Sequence, residues 1–374
     1  MTPRERVLAA LNHEMPDRIP TDLGTTNCTS IARKAYSRLK KSLGVDKPDV
    51  LMMEDFQISK VDHEVLELLG TDTRGIHGKP HLLPKTVINE KCYIDNFGIK
   101  YLMPDNGLYY DMVEHPLEGK ETLEEVMAYQ WPDPLDPKTV AGIKAEAKKL
   151  YDENQYAIVG DMVNTGIFEP SHYVRGFEEF LMDLMVNKDI AHYILRKMLD
   201  YQKARYDLFL SEVGEYLDIV FVGDDLASTE STLMSAAVYR EMVKPYQKEY
   251  FSFIKSKTKA KLLYHSCGNV SSLIDDLIEI GVDILNPIQV NAKGMDTKEL
   301  KRKYGDRVCF WGGVDTNYAL PKGTVQEVET EVRKRISDLG PEGYICTSVH
   351  DIQADVPAEN IIAMFKTAKS IIVR

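Results

Sequence analysis

Between Ala157 and His350 the chain repeats one unit: a short apolar run that finishes on a polar side chain or on paired glycines, and then a helical stretch. The runs are Ala157-Ile-Val-Gly-Asp161, Asp218-Ile-Val-Phe-Val-Gly-Asp224-Asp225, Lys261-Leu-Leu-Tyr-His265, Asp283-Ile-Leu-Asn286, Val308-Cys-Phe-Trp-Gly312-Gly313 and Gly343-Tyr-Ile-Cys-Thr-Ser-Val-His350. Two earlier runs, Arg18-Ile-Pro-Thr-Asp22 and Thr71-Asp72-Thr-Arg74-Gly-Ile, have the same form. Short apolar strands separated by helices bury both faces of a parallel sheet. Eight of them predict an α/β fold, a (β/α)8 TIM barrel, formed as one domain over residues 1–374. A doubly wound open sheet is the competing architecture, but no Gly-x-Gly-x-x-Gly follows any of the strands.

Residues 82–115 interrupt the rhythm. Thr86-Val-Ile, Cys92-Tyr-Ile and Ile99-Lys-Tyr-Leu alternate with the turn signals Asp95-Asn-Phe-Gly98 and Pro104-Asp-Asn-Gly107, which predicts a small antiparallel insertion. Thr2-Pro3-Arg4-Glu5 reads as a capping box that opens the first helix.

A net charge of −12 argues against nucleic-acid or anionic-membrane binding. No apolar run approaches a membrane span, and Met1-Thr-Pro-Arg-Glu-Arg lacks a signal-peptide core. Cys28, Cys92, Cys267, Cys309 and Cys346 are odd in number and form no Cys-x-x-Cys pair. A disulfide framework is not expected, and a cytoplasmic location is.

In a barrel of this type, chemistry collects where the strands end. The expected endings are Asp22, Arg74, Asp161, Asp224 with Asp225, His265 with Cys267, Asn286, Asp315 after Gly312-Gly313, and His350. A carboxylate after a strand is also a common helix N-cap, a role that suits Asp22 and competes for Asp161. Only one of Asp224 and Asp225 can serve that way. Asp161, Asp224 and Asp225 are therefore the candidate catalytic carboxylates. Asn286, Gly312, Gly313 and Asp315 are the candidate substrate-binding positions. His265 and Cys267 share a strand face roughly 6.5 Å apart, which makes a zinc half-site or a thiol beside a base, as well as a buried His next to an inert Cys. Cys346 and His350 share a face by parity but lie roughly 13 Å apart in a regular strand. His350, at the strand end, is the better third ligand unless a bulge brings Cys346 up.

Pro-Asp-Arg-Ile-Pro after the opening helix, Gly-Asp-Asp at strand four, His-Ser-Cys-Gly-Asn, Trp-Gly-Gly-Val-Asp and His350…Val-Pro-Ala-Glu-Asn resemble the uroporphyrinogen decarboxylase superfamily from end to end. The resemblance implies a (β/α)8 barrel with one of two chemistries. One is cofactor-free decarboxylation of a tetrapyrrole. The other is methyl transfer from a corrinoid protein to a thiol or to tetrahydrofolate. The decarboxylases' Arg-rich motif has no counterpart here, where Leu-Gly-Thr-Thr-Asn27 follows the first strand. Their catalytic Asp has no clear counterpart either, Asp72 being the nearest residue and a poor match. The methyltransferase branch is favoured, and a decarboxylase-like lyase and a non-catalytic ligand-binding barrel are the alternatives.

His265 and Cys267 look like the first two zinc ligands of the thiol methyltransferases. His350 stands where their third ligand, a Cys, is found. A zinc ion with an open position makes an acceptor thiol nucleophilic at neutral pH. With a folate acceptor, Asp161, Asp224 or Asp225 would hold the pterin. The chain has no Asp-x-His-x-x-Gly cobalamin signature, so the corrinoid is expected on a partner protein.

Overall fold

The computed structural model describes residues 1–105, 107 and 109–373. Seven parallel strands follow one another around a curled sheet: Thr73–His77, Ala157–Asp161, Ile219–Gly223, Lys261–His265, Ile284–Asn286, Cys309–Val314 and Tyr344–Ser348. The expected first strand contributes only a bridge. Thr21 pairs in parallel with Cys346, the Cys346 N–H donates to the Pro20 carbonyl at 2.9 Å, and the Asp72 N–H donates to the Thr21 carbonyl at 2.9 Å. Pro20 has no N–H to give a ladder, which explains why a strand-like run shrinks to a closing segment. With that segment in place the sheet closes as a TIM barrel.

Alternation sorts the strand residues cleanly. Val159, Phe221, Leu263, Ile284, Trp311 and Ile345 fill the barrel interior together with Val7, Ala10 and Leu11 of the first helix, Pro3–Leu11. That helix has the expected capping box: the Glu5 N–H donates to Thr2 Oγ1 at 3.2 Å, and the Thr2 N–H donates to Glu5 Oε2 at 2.8 Å. Leu262, Tyr264, Leu285, Phe310 and Cys346 point outward, into the core beneath the helices.

Three expectations are corrected here. Arg74 lies inside its strand, which ends at His77, and its guanidinium stacks 3.4 Å from the Tyr156 ring centroid. Cys346 and His350 do not share a face, because the strand stops at Ser348 and the chain then bends His350 into the mouth. Asp72 lies at the opposite end from the mouth. Its carboxylate is fully buried and takes Arg6 Nη1 at 2.6 Å and Arg18 Nη1 at 2.8 Å.

The insertion is a four-stranded antiparallel meander, Thr86–Asn89, Cys92–Ile94, Lys100–Leu102 and Asp111–Glu114. The first expected turn, between its second and third strands, is closed by the Gly98 N–H to the Asp95 carbonyl at 3.0 Å. In the second expected turn the Gly107 N–H donates to the Pro104 carbonyl at 2.9 Å, while Asn106 lies outside the described residues. A three-stranded sheet of Ile31–Ala32, Ile58–Ser59 and Leu51–Met53 was not foreseen. Its strands are too short to show alternation. No helix among the described residues is long and apolar enough to cross a membrane, and all five cysteines are free.

Candidate active site

The strand register fixes the site's central residue. His265 and Asn286 are partners on adjacent parallel strands, so their side chains emerge together at the mouth. The Asn286 amide donates to the Trp311 carbonyl at 3.0 Å, which turns its oxygen toward His265 Nδ1, 2.6 Å away. Nδ1 therefore carries a proton, and in the neutral ring Nε2 presents a lone pair. That nitrogen lies 3.5 Å from Cys267 Sγ and 3.6 Å from Asp225 Oδ1. Asp225 also accepts the Cys267 N–H at 2.7 Å, which locks the two residues together.

His265 belongs to two tight donor groups: Cys28, His265 and His350, and Asp225, His265 and Cys267, the ligand atoms in each lying within 4.8 Å of one another. The expected trio of His265, Cys267 and His350 is thus divided between them, with Cys28 and Asp225 added. The imidazoles of His265 and His350 meet edge to face at 5.1 Å. Burial disfavours charge on both rings, but Cys28 and Cys267, joined at His350 by the Asp351 carboxylate, outweigh it and hold both histidines well above the usual imidazole range. Burial likewise pushes the Cys267 thiol up, and the His265 and His350 charges bring it down to about 7. Cys346, buried with no cation beside it, is pushed up to about 12.

Cys28 was missed because it sits in a loop. Its placement depends on Asp161, whose carboxylate accepts the Asn27 N–H at 2.7 Å and the Val163 N–H at 2.6 Å. Asp161 is fully buried in that role, and burial pushes its carboxyl up to about 7. Asp351 braces the same loop from the other side, accepting the Ser30 N–H at 2.7 Å, and its own N–H donates to His350 Nδ1 at 2.8 Å.

The Asp224-Asp225 pair divides as alternation requires. Asp225 faces the mouth. Asp224 points outward and accepts the N–H groups of Ile167, Phe168 and Glu169 at 3.1, 3.0 and 2.6 Å, which anchors the start of the helix Phe168–Arg175. That helix brings Glu169 to the mouth. Burial, then the Asp225 charge, push the Glu169 carboxyl up to about 8, and the Tyr173 hydroxyl donates to it. A sequence signal for Glu169 existed in its position a few residues after the strand Ala157–Asp161.

Other expected positions serve the scaffold. Gly312 and Gly313 have φ of +115° and +99°. A Cβ on Gly312 would meet only ordinary contacts, 3.4 Å from the Ser348 carbonyl at the nearest, so the backbone conformation and not the space calls for glycine. Asp315 binds Asn291 Nδ2 at 2.6 Å and the Asn317 N–H at 2.7 Å, outside the mouth. Asn286 contacts His265 and does not line the cavity.

Above the cluster is a cavity of about 410 Å³ bordered by Cys28, Glu169, Asp225, His265, His350 and Asp351. No Lys or Arg is among the described residues lining it. Three acids, two imidazoles and a thiol on its walls suit a cation or a nucleophile, not a polyanion.

A family model described as uroporphyrinogen decarboxylase (URO-D) matches residues 96–371. Two curated relatives are uroporphyrinogen decarboxylases. That of Trichodesmium erythraeum is 24% identical over 138 residues, 37% of this chain and 37% of that protein. That of Chlorobium luteolum is 23% identical over 184 residues, 48% and 49% of the two chains. The chain therefore spans less than half the length of either. Among solved structures, a methyltransferase from Methanosarcina mazei superposes with a TM-score of 0.68 at 19% identity, covering 99% of both chains. That likeness concerns the fold.

Proposed function

We propose that this chain, which belongs to the uroporphyrinogen decarboxylase family, is a methyltransferase that moves a methyl group from a corrinoid carried by a partner protein to a small thiol or to tetrahydrofolate. The observation that carries this reading is the convergence of Cys28, Cys267, His265, His350 and Asp225 at the floor of the mouth. Soft sulfur and imidazole donors with one carboxylate are the ligand types zinc takes. The fit is supported by His265, whose Nδ1 proton is held by Asn286 so that Nε2 faces the other donors. Zinc would be held by Cys28, His265 and His350, or by Asp225, His265 and Cys267, and when bound it would supply a Lewis acid that turns an acceptor thiol into a nucleophile near neutral pH.

The chain's own residues do the rest. Asn286 orients His265. Asp161 and Asp351 hold the Cys28 loop at the correct depth. Burial and the Asp225 charge favour the protonated form of Glu169, which borders the cavity and is placed to exchange a proton with an acceptor nitrogen. A corrin ring presented by a partner protein would have to approach the reacting groups through this mouth, in line with the acceptor.

A decarboxylase acting on a polycarboxylate fits the mouth poorly. Each substrate carboxylate buried there without a cation would cost several kcal/mol, and the lining already holds Glu169, Asp225 and Asp351. Asp72 is out of reach at the other end of the barrel, paired with Arg6 and Arg18. The deciding experiment measures the metal content of the purified protein, then offers it a methylated corrinoid protein with thiol and folate acceptors, and separately uroporphyrinogen. Methyl transfer that stops in Cys267→Ala supports the reading. Coproporphyrinogen formed at enzymatic rates, with methylcobamide untouched, overturns it.

A further inference from the structure

A second cavity, of about 180 Å³, lies between the insertion and the barrel, and it shares a wall of Met53, Phe56, Asn164, Pro170 and Tyr173 with the mouth. Nothing in the proposed methyl transfer uses it. Its volume matches about six water molecules, enough for a compact organic group. Its far wall comes from the insertion, where Tyr93 and Tyr101 stack at 4.8 Å with their planes 8° apart. Phe97 and Tyr201 meet edge to face at 4.9 Å on another side.

Two carboxylates open onto these rings, Asp55 and Asp95. Asp55 accepts the Tyr93 hydroxyl. Asp95 Oδ1 accepts the N–H groups of Phe97 and Ile99, both at 2.9 Å. Neither carboxylate forms an ion pair among the described residues. The cations on the walls are already engaged. Lys85 binds Glu54 at 2.6 Å. Arg205 donates to the Asn164, Met162 and Val163 carbonyls and to Gln202 Oε1. Burial pushes the Asp55 carboxyl up, against the Tyr93 hydrogen bond and the Lys85 charge, and pushes that of Asp95 up to about 6. The protein also seats one ammonium of its own on this wall, with Lys85 Nζ 4.8 Å from the Tyr93 ring centroid.

We propose that this chamber is a second ligand site, for a small organic cation of the quaternary or alkylammonium class, held by the Tyr93, Tyr101 and Phe97 rings and by the Asp55 and Asp95 carboxylates. Aromatic walls attract a poorly hydrated cation through their quadrupoles, and a carboxylate beside them selects charge over shape. Because the chamber adjoins the mouth, such a ligand would sit next to the reacting groups without displacing them.

The test is calorimetric titration of the whole protein with choline and with 3,3-dimethyl-1-butanol, its uncharged isostere, at constant ionic strength. Choline is expected to bind at least tenfold more tightly than the alcohol. Asp55→Asn and Asp95→Asn keep the acceptor oxygen that holds Tyr93 or the Phe97 and Ile99 N–H groups, so both variants fold. Each should weaken choline at least tenfold and leave the alcohol unchanged. Asp207→Asn, on the outer surface and outside both cavities, should change neither. Equal affinity for the two compounds, no choline binding, or full binding by folded Asp55→Asn and Asp95→Asn would overturn the proposal. The readout needs neither corrinoid nor metal, so it stands apart from the outcome for methyl transfer.

Discussion

Replacing Asp72 by Ala should be among the most damaging single changes to stability in this chain, and it should leave the chemistry of the mouth intact. The Asp72 carboxylate accepts Arg6 Nη1 at 2.6 Å, Arg18 Nη1 and Nη2 at 2.8 and 2.9 Å, and the Thr21 N–H at 2.8 Å. Its side chain is fully buried, and those of Arg6 and Arg18 are 8% and 16% exposed. Removing one partner of a buried ion pair costs about 3–5 kcal/mol when the other charge stays behind unpaired; here that charge is Arg18, since Arg6 keeps its ion pair with Asp17 at 2.6 Å. Losing the Thr21 hydrogen bond adds about 1 kcal/mol. The expected loss of about 4–6 kcal/mol is a large part of the 5–15 kcal/mol by which a typical domain is stable. Urea unfolding followed by circular dichroism, extrapolated to water, measures it. Asp72→Asn keeps an acceptor and should lose less. A loss below about 1 kcal/mol for Asp72→Ala would refute the argument. So would a variant of normal stability that no longer binds metal, since Asp72 would then belong to the site.

Asn286→Ala should lower zinc affinity by roughly 10- to 100-fold, the usual effect of removing a residue that orients a metal-bound histidine, and competition with a chromogenic chelator reads it. In metal-free protein, alkylation of Cys267 should rise with pH through a midpoint near 7, because the thiolate is the reactive form. Cys309 and Cys346, both pushed up to about 12 by burial, should stay unmodified across the same range, as peptide mass spectrometry would show.

The barrel was legible because its signal is periodic and repeated. Apolar runs ending on polar residues need only the alternation of strand faces to be read, and that alternation places His265 beside Asn286 and sends Asp225 to the mouth. What failed to show were positions set by contacts distant in sequence. Cys28 reaches His265 only because Asp161 and Asp351, on other strands and loops, grip its loop by backbone N–H groups. Parity placed Cys346 and His350 on one face, and it stops applying where the strand ends at Ser348. Asp224 has the same residue type and almost the same position as Asp225. A neighbouring helix N-terminus, invisible to local pattern, makes one an anchor and leaves the other at the site.

The closing segment at Thr21 also has a kinetic meaning. Its partner strands are a near neighbour at Thr73–His77 and a distant one at Tyr344–Ser348. At synthesis rates of about 5–20 residues per second, the early segment waits tens of seconds for the late strand. Joining ends separated by some 300 residues carries a loop-closure penalty of roughly 5 kcal/mol. Until they join, the growing sheet has two open edges capable of pairing with a neighbouring chain. The Asp72 ion pairs act early in that interval. They tether the segment to the edge of Thr73–His77, so that one edge is covered and the final closure becomes the docking of a preformed strand.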